Sequence, residues 1–362
     1  MPTEHTDLAD YGFTENRYPS LDIPDGLTPG RVTAAHRGLF TAVCPLGELS
    51  VRLRGSFMHG AESAEDYPAV GDFVLLRADP GGQSLVERVL PRFSKFSRPD
   101  YSGHAAGYVK TILEQVVAAN FDWVFIMTSL NNDYSAERVE RYLAAAWQSG
   151  AQPAVLLTKS DLRPDSERYI HKIEGHSPGT PVFAVSAFTG EGLGGVRALL
   201  SPGVTAIFLG MSGVGKSTLV NALAGQELMD TREIREDDGR GRHTTTHREL
   251  IRLPSGALVI DTPGMRELSL WDADDGLDAA FSDVTRYMEG CRFSDCKHES
   301  EPGCAFQQAL CEGLVTQERY EGYLKLRREA GFTNDKAAYA QKKREVNKNI
   351  AKFTKSRGKS TW

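Results

Sequence analysis

The chain has 362 residues, of which 40% are hydrophobic and 25% charged, and its formal net charge is −6. That length favours two or three domains of globular composition, and the acidic balance argues against nonspecific nucleic-acid binding by the whole surface. No apolar run approaches the roughly 20 residues that span a bilayer, and residues 1–25 lack the basic and apolar regions of a secretory signal, so we expect a cytoplasmic protein with no membrane partner.

The first 98 residues divide into a tail and a small β domain. Residues 1–27 are acidic and carry few aliphatic side chains, which predicts a flexible tail. Within 28–98, short alternating or β-branched runs recur between glycine-rich turn signals. Such strands indicate a small β-barrel, either of the oligonucleotide-binding (OB) type or of another type such as an SH3-like barrel. The predicted strands are 31–34, 39–43, 48–53, 72–77 and 84–89.

Residues 99–270 have the pattern of a doubly wound α/β domain. Apolar strands alternate with helical stretches, which is typical of a parallel sheet covered on both faces. The predicted strands are 123–128, 154–157, 182–185, 205–209 and 258–260, and the predicted helices are 136–148, 166–173, 193–200 and 216–224.

The base-recognition candidate comes first along this domain. Thr158-Lys159-Ser160-Asp161 follows a predicted strand, and the Asp161 carboxylate can accept two hydrogen bonds from guanine, whereas adenine would leave it unpaired. Alone, this pattern is also typical of a helix start capped by Asp. Ser186 and Ala187, after the next strand, are expected to offer a backbone N–H to the guanine carbonyl.

A phosphate-loop candidate follows strand 205–209 and opens a predicted helix. Gly210 and Gly215 are expected to permit backbone angles that gather N–H groups around the phosphates at the positive helix end. Lys216 would neutralise the β- and γ-phosphates, while the Ser217 hydroxyl would ligate Mg²⁺. The predicted phosphate-binding residues are Gly210, Met211, Ser212, Gly213, Val214, Gly215, Lys216, Ser217 and Thr218.

A second segment that is expected to lie near Mg²⁺, after Ser217, follows strand 258–260. Asp261 stands at the carboxyl end of that strand, where ligands gather in open α/β sheets, and Gly264 can offer its N–H to the γ-phosphate. The base-recognition element precedes the phosphate loop in the chain. That inverted order indicates a nucleotide-binding domain that has been cut and rejoined, which is tolerable because the ends of compact domains lie near each other.

The predicted helical region 271–362 begins with a cluster of metal-ligand residues. Cys291, Cys296, His298 and Cys304 supply three thiolates and one imidazole, a closed tetrahedral set suited to structural zinc. Cys311 is spare, either a packed helix residue or a replacement ligand. The lone Cys44 is expected to be a small buried apolar residue. From residue 336 the chain is Lys- and Arg-rich, which indicates an anionic partner or a solvated helix.

Taken together, these motifs resemble the circularly permuted GTPases, and more narrowly the ribosome small-subunit-dependent GTPase A family. The resemblance implies an OB-fold barrel, a permuted P-loop GTPase domain and a zinc-binding domain in that order. It also implies GTP hydrolysis to GDP on the small ribosomal subunit, with late maturation of that subunit as the purpose. One departure is Thr158, where the family usually has Asn; the missing amide predicts a weaker guanine site or a looser loop.

The resemblance also assigns roles in the segment between the phosphate loop and Asp261. Thr245 or Thr246 would reach Mg²⁺ in the GTP-bound state, and His243, which precedes the threonine run, would position the attacking water. Many GTPases place Gln where this chain has Met265, and a thioether cannot orient water. Slow intrinsic hydrolysis that a partner stimulates is therefore expected.

The resulting prediction is a multidomain, monomeric GTPase that uses GTP/GDP, Mg²⁺ and one structural Zn²⁺. Its barrel, zinc domain and basic tail would contact the small ribosomal subunit and its rRNA. Two other classes fit part of the pattern: an ATP-dependent P-loop phosphotransferase, and a nucleotide-gated RNA-binding scaffold that never hydrolyses GTP.

Overall fold

The structure is a computed structural model. It describes residues 6–36, 38–55, 57, 64–100, 113–130, 134–177, 179–230, 248–261, 274–299 and 301–331.

The first domain is a closed five-stranded barrel. Strand order is β1-β2-β3-β5-β4, and β4 pairs back onto β1 from Arg31↔Phe73 to Thr28↔Leu76. The β3–β5 pair is parallel and the other pairs are antiparallel. This arrangement is the OB type, which decides between the two barrels that the sequence left open. The strands are β1 (Thr28–His36), β2 (Leu39–Cys44), β3 (Gly47–Leu53), β4 (Phe73–Arg77) and β5 (Ser84–Val89).

The barrel core is built from inward-facing β-branched and small residues. Cys44 is fully buried there, as predicted for a small apolar residue. Each strand contributes to the core because successive side chains point to opposite faces. The fully buried core residues include Val32, Ala42, Val51, Val74, Leu76 and Val86.

The N-terminal segment packs against both domains, contrary to the predicted flexible tail. A 3₁₀ helix at Leu8–Tyr11 begins with an Asp7 side-chain cap, and Leu8 is buried. Phe13 and Tyr18 stack with ring centroids 5.4 Å apart, and both rings contact Phe73 of the barrel. Composition misled the prediction because a few aromatic side chains, rather than many aliphatic ones, anchor the segment.

The second domain is built on a six-strand sheet in the order β10-β9-β8-β11-β13-β12. The first five strands are mutually parallel, and β12 is antiparallel to β13. Chain order reverses between β8 and β11, which creates a crevice at the carboxyl ends of these two strands. The strands are β8 (Trp123–Ser129), β9 (Gln152–Thr158), β10 (Val182–Val185), β11 (Thr205–Leu209), β12 (Arg248–Arg252) and β13 (Leu258–Asp261).

Two strand features were not predicted. Strand β12 pairs with β1 through Ala34↔Glu249 and Ala35↔Arg248, so the barrel and the second domain share one continuous sheet. A separate hairpin of β6 (Lys95–Asp100) and β7 (Leu113–Ala119) lies between the domains. The predicted boundary between residues 98 and 99 therefore falls inside β6.

Helices cover both faces of the second sheet, as predicted. On β8, Phe125 and Met127 face one core cluster, while Val124 and Ile126 face the other. The helices are α1 (Ala136–Gln148), α2 (Ser166–His176), α3 (Leu193–Leu199) and α4 (Lys216–Ala224).

A third region of short helices packs onto α1. Phe281, Val284 and Phe306 share one core cluster with Val139 and Leu143 of α1, so this region has no separate core. The helices are α5 (Asp274–Ala280), α6 (Ser282–Met288), α7 (Ala305–Cys311) and α8 (317–331). Across all the helices described, none has the length and apolar character to cross a membrane.

A buried arginine joins the barrel to the second domain. The guanidinium of Arg31 is fully buried and donates hydrogen bonds to the carbonyls of Tyr11, Gly71 and Asn120. Burial lowers the pKa of Arg31 to about 9, which leaves it charged at neutral pH. Because Asn120 lies between β7 and β8, one side chain links the N-terminal segment, the barrel and the start of the second sheet.

Candidate functional site

The candidate phosphate loop leaves β11 at the reversal point of the sheet. Gly213 and Gly215 have φ values of +76° and +99°, in the left-handed region that glycine favours. Gly210 is different, because it has no positive φ; a Cβ there would lie 2.8 Å from the Met127 carbonyl oxygen of β8. The predicted requirement for special backbone angles thus fits Gly215 and extends to Gly213, where it was not predicted. It is wrong for Gly210, where the requirement for glycine is steric.

The loop passes directly into α4, with Gly215 as the N-cap and Lys216 as the first helical residue. Val214 is buried beneath the loop, while Lys216 and Ser217 are half-buried and Ser212, Gly213 and Thr218 are exposed. A helix that starts at the loop presents free N–H groups and its positive dipole end to an anion.

Thr158 ties the base-recognition segment to the phosphate loop. Its buried hydroxyl donates to the Val214 carbonyl oxygen at 2.8 Å, across 56 residues of sequence. The next residue, Lys159, adopts a left-handed φ of 59° and donates from Nζ to the Gly213 carbonyl oxygen at 3.0 Å. The base-recognition segment and the phosphate loop are therefore in direct contact. Because Thr158 lacks the amide of the usual Asn, the sequence suggested a looser loop. The Thr158 hydroxyl nevertheless bonds to the phosphate loop, a contact that the sequence did not reveal.

The candidate base-recognition residues follow the ends of two neighbouring strands. In the parallel pairing of β9 and β10, Thr158 is the register partner of Val185, so the segments that follow emerge side by side. A 3₁₀ turn spans Ser160–Leu162 and leaves Asp161 exposed, while Ser186 is fully buried and Ala187 half-buried. The predicted carboxylate and backbone donor for guanine are thus on adjacent loops.

The candidate phosphate loop ends in a cation that is paired with a carboxylate. Lys216 Nζ lies 3.0 Å from Asp261 Oδ1, and the two side chains are 28% and 10% exposed. Asp261 ends β13, the strand beside β11, so its position matches the prediction. The Ser217 hydroxyl and the Asp261 carboxylate are hard oxygen donors of the kind that Mg²⁺ takes with substrate phosphates.

The four predicted zinc ligands converge in the third region, and their ligand atoms all lie within 4.8 Å of one another. Cys291 Sγ is 3.7 Å from Cys304 Sγ and 3.4 Å from His298 Nδ1, and Cys304 Sγ is 3.6 Å from the same nitrogen. A tetrahedral zinc with standard bond lengths places two sulfurs about 3.8 Å apart and a sulfur and nitrogen about 3.6 Å apart. The donor set fits zinc in its chemistry, and the distances among Cys291, His298 and Cys304 fit its tetrahedral spacing.

Local backbone contacts shape this loop. His298 has a left-handed φ of 61°, and the Glu301 carboxylate accepts hydrogen bonds from the N–H groups of Lys297 and Glu299 at 2.8 and 3.0 Å. Cys311 is exposed at the end of α7 and lies outside the cluster, so the expectation of a packed helix residue is wrong.

Comparison with known proteins identifies the family. The RsgA GTPase family model matches residues 89–271, which include the base-recognition segment, the phosphate loop and Asp261. The chain belongs to the RsgA GTPase family. The predicted resemblance is thereby confirmed, together with the prediction that the chain is a GTP hydrolase.

Individual relatives agree with this family over most of the chain. "Small ribosomal subunit biogenesis GTPase RsgA 2" of Lactiplantibacillus plantarum is 42% identical over 325 residues, 90% of each protein. The RsgA of Streptomyces coelicolor, named in the same way without the number, is 42% identical over 333 residues, 90% of this chain and 87% of the relative. The crystal structure of YjeQ from Thermotoga maritima is 27% identical with a TM-score of 0.64, over 84% of this chain and 98% of that one.

A further solved structure supports the permuted fold. YloQ, described as a circularly permuted GTPase, has a TM-score of 0.60 at 23% identity, over 85% of this chain and 96% of that one. Several residues predicted for the RsgA site lie outside the described residues, as does the basic run from residue 336. The site residues concerned are His243, Thr245, Thr246 and Gly264.

Proposed function

We propose that this RsgA-family GTPase binds GTP between Asp161 and Lys216 and hydrolyses it in the service of small ribosomal subunit maturation. The observation that carries the proposal is the pair of bonds from Thr158 and Lys159 to the phosphate loop, at 2.8 and 3.0 Å. These bonds join the loop proposed to select the base to the loop proposed to bind phosphates, which supports a shared cleft, although the two loops are more than 50 residues apart in sequence.

The reaction is attack of a water oxygen on the γ-phosphorus. The bond between the γ-phosphorus and the β–γ bridging oxygen breaks, GDP keeps that oxygen, and the proton lost from water ends on inorganic phosphate or solvent. Lys216 would turn from Asp261 towards the β- and γ-phosphates, leaving that carboxylate to the magnesium side. Mg²⁺ held by Ser217, Asp261 and Thr245 or Thr246 would neutralise charge on the phosphates. His243 remains the proposed residue for orienting water.

The proposed partner is the small ribosomal subunit, which the relatives' names specify. The finer proposal is that the barrel, the zinc domain that begins at residue 271 and the basic run from residue 336 contact its rRNA. One zinc ion in the Cys291, Cys296, His298 and Cys304 cluster would be structural, since four protein ligands leave no open position. RNA phosphate contacts predict an affinity for the subunit that falls steeply with salt.

The test is a turnover assay with GTP or ATP, with and without purified small subunits. We expect slow GTP hydrolysis by the chain alone and stimulation by the subunit of about 10-fold or more, because the catalytic groups are incompletely positioned in the free enzyme. We expect no comparable use of ATP, because adenine would leave the Asp161 carboxylate unpaired. Lys216→Ala, which removes the phosphate cation, should abolish stimulation; Lys325→Ala, on α8, is the matched surface control. Equal use of ATP would indicate a phosphotransferase, and GTP binding without stimulated turnover would indicate a scaffold.

A further inference from the structure

One side chain of the helix that follows the phosphate loop bonds to the chain beyond that helix. Asn221 of α4 is half-buried, and its Oδ1 accepts hydrogen bonds from the N–H groups of Leu228 and Met229 at 2.9 and 2.8 Å. Its Nδ2 donates to the Met229 carbonyl oxygen at 2.8 Å. The amide therefore uses both its acceptor and its donor character on two successive backbone units.

The same residue closes the turn that leads to these partners. The N–H of Gly225, which has a left-handed φ of 70°, donates to the Asn221 carbonyl oxygen at 2.8 Å and ends α4. Residues 225–227 are exposed, whereas Leu228 and Met229 are half-buried and pack against the core cluster that α4 shares with the sheet. Asn221 therefore fixes the place where the chain returns to the protein after the turn.

The position of Asn221 along α4 relates this anchor to the proposed magnesium ligand Ser217. Ser217 lies four residues before Asn221 in the same helix, so the two side chains share one helix face, about 6 Å apart along the axis. The helix face that offers a hydroxyl to magnesium thus also holds Leu228 and Met229.

The anchored residues stand at the entry to a stretch with proposed roles in hydrolysis. Residues 231–247 lie outside the described residues, and they carry the two threonines proposed for magnesium and the histidine proposed to orient water. On the far side of this stretch, Arg248 begins β12 and is the register partner of Ala35 in β1. The chain is therefore held by the sheet after the stretch and by Asn221 before it.

We propose that Asn221 is a positioning residue for GTP hydrolysis, because it sets the point from which residues 231–247 reach the magnesium and the γ-phosphate. This inference rests on the proposed function and adds to it a residue that acts through the backbone of Leu228 and Met229. A fixed starting point leaves the stretch less conformational freedom to lose when it engages the GTP-bound site. The GTP state therefore gains more from Asn221 than the GDP state does.

The experiment compares Asn221→Leu with the wild type by calorimetry, using GDP and a non-hydrolysable GTP analogue in the presence of magnesium. GDP affinity should stay within about twofold, because Lys216 and Ser217 are untouched. Analogue affinity should be at least about fivefold weaker, because the stretch must be ordered from an unfixed start. Subunit-stimulated turnover at saturating GTP should fall about 10-fold or more, because a displaced catalytic group loses its alignment.

Gln148→Leu is the matched control, because Gln148 is also a half-buried helix amide bonded to a neighbouring backbone. Its Oε1 accepts from the Gly276 N–H at 2.9 Å, in the third region. Both Leu variants should unfold at lower urea concentrations than the wild type, since each loses a side-chain hydrogen bond. Gln148→Leu should nevertheless keep the wild-type ratio of analogue to GDP affinity and the wild-type turnover.

A conservative variant covers the case in which Asn221→Leu does not fold. Asn221→Asp keeps the shape and an oxygen for both N–H groups but loses the donor to Met229, so the ratio of analogue to GDP affinity should fall about twofold or more. An unchanged ratio in the variants of Asn221 overturns the inference and leaves the proposed function intact. Equal losses for GDP and the analogue also overturn it, because Asn221 would then support the phosphate loop. A wild-type chain without stimulated turnover refutes the proposed function itself.

Discussion

Single polar side chains hold together parts of this chain that are distant in sequence. The Thr158 hydroxyl reaches the phosphate loop, and the Arg31 guanidinium joins the N-terminal segment, the barrel and Asn120. Arg319 of α8 does the same for the third region, because it bonds to Glu140 of α1. None of these partners is within 15 residues in sequence, so no local pattern predicts them.

The bond between the Thr158 hydroxyl and the phosphate loop leads us to predict how Thr158 variants bind GDP. Thr158→Val keeps the shape but removes the hydroxyl, leaving the Val214 carbonyl without this donor. We expect GDP binding to weaken by about 1–2 kcal/mol, as for a lost buried hydrogen bond. Thr158→Ser, which keeps the hydroxyl, should bind GDP nearly as the wild type does. Calorimetric titration measures both, and equal affinities in the two variants would show that the hydroxyl is unimportant.

Arg319 predicts how firmly the third region is docked. Its guanidinium is 3% exposed and lies 2.8 Å from Glu140 Oε1 and 2.9 Å from Asp283 Oδ1, with the Phe281 ring 3.8 Å away. Arg319→Ala would remove the cation that Glu140 and Asp283 share in a largely buried site, so we expect a loss of about 3–5 kcal/mol in the free energy of unfolding. Urea unfolding measures it, with the exposed Arg328→Ala as control. A loss below about 1 kcal/mol would mean that apolar packing alone docks the region.

At the level of strands and helices, regular patterns were predictable and irregular ones were not. The barrel strands, the parallel strands and α1 were predicted because alternation and helical periodicity are local properties. Strand β12 was not predicted, because Leu250 is its only buried residue and its sequence therefore shows too little apolar alternation to indicate a strand. The β6–β7 hairpin was not predicted because residues 101–112 separate its two strands, a connection much longer than the two to five residues of a tight hairpin loop.

The loop that carries Cys291, Cys296, His298 and Cys304 is the element that we expect to depend most on a bound ligand. This cluster was predictable because thiolate and imidazole donors in one short window are chemically distinctive. We expect one zinc per chain by metal analysis, and Cys291→Ser should lower this content and the melting temperature, because metal binding is coupled to local folding. Cys311→Ser should do neither, since Cys311 lies outside the cluster. Equal losses from both variants would show that the ligand set is wrong.

Across the whole molecule, one continuous sheet joins the barrel to the permuted second domain. β1 of the barrel pairs with β12, and β12 pairs with β13, which ends in Asp261. The N-terminal segment also contacts β12, because Asp10 forms an ion pair with Arg252 of that strand at 2.7 Å. The barrel and Asp261, which we propose to lie near magnesium, are therefore connected through hydrogen-bonded strands. The sequence indicated the order of the domains, but only the long-range pairing shows this connection.

The base specificity of an Asp161→Asn variant tests most directly whether one cleft serves both motifs. Xanthine carries a carbonyl where guanine carries its exocyclic amine, so an Asn amide can donate where the Asp carboxylate accepted. Calorimetry with GDP and XDP should show wild-type preference for GDP and a reversal in the variant, each by about 10-fold or more. Unchanged GDP affinity in Asp161→Asn, with Lys216→Ala still weakening GDP binding, would place the base away from Asp161 and contradict the shared cleft.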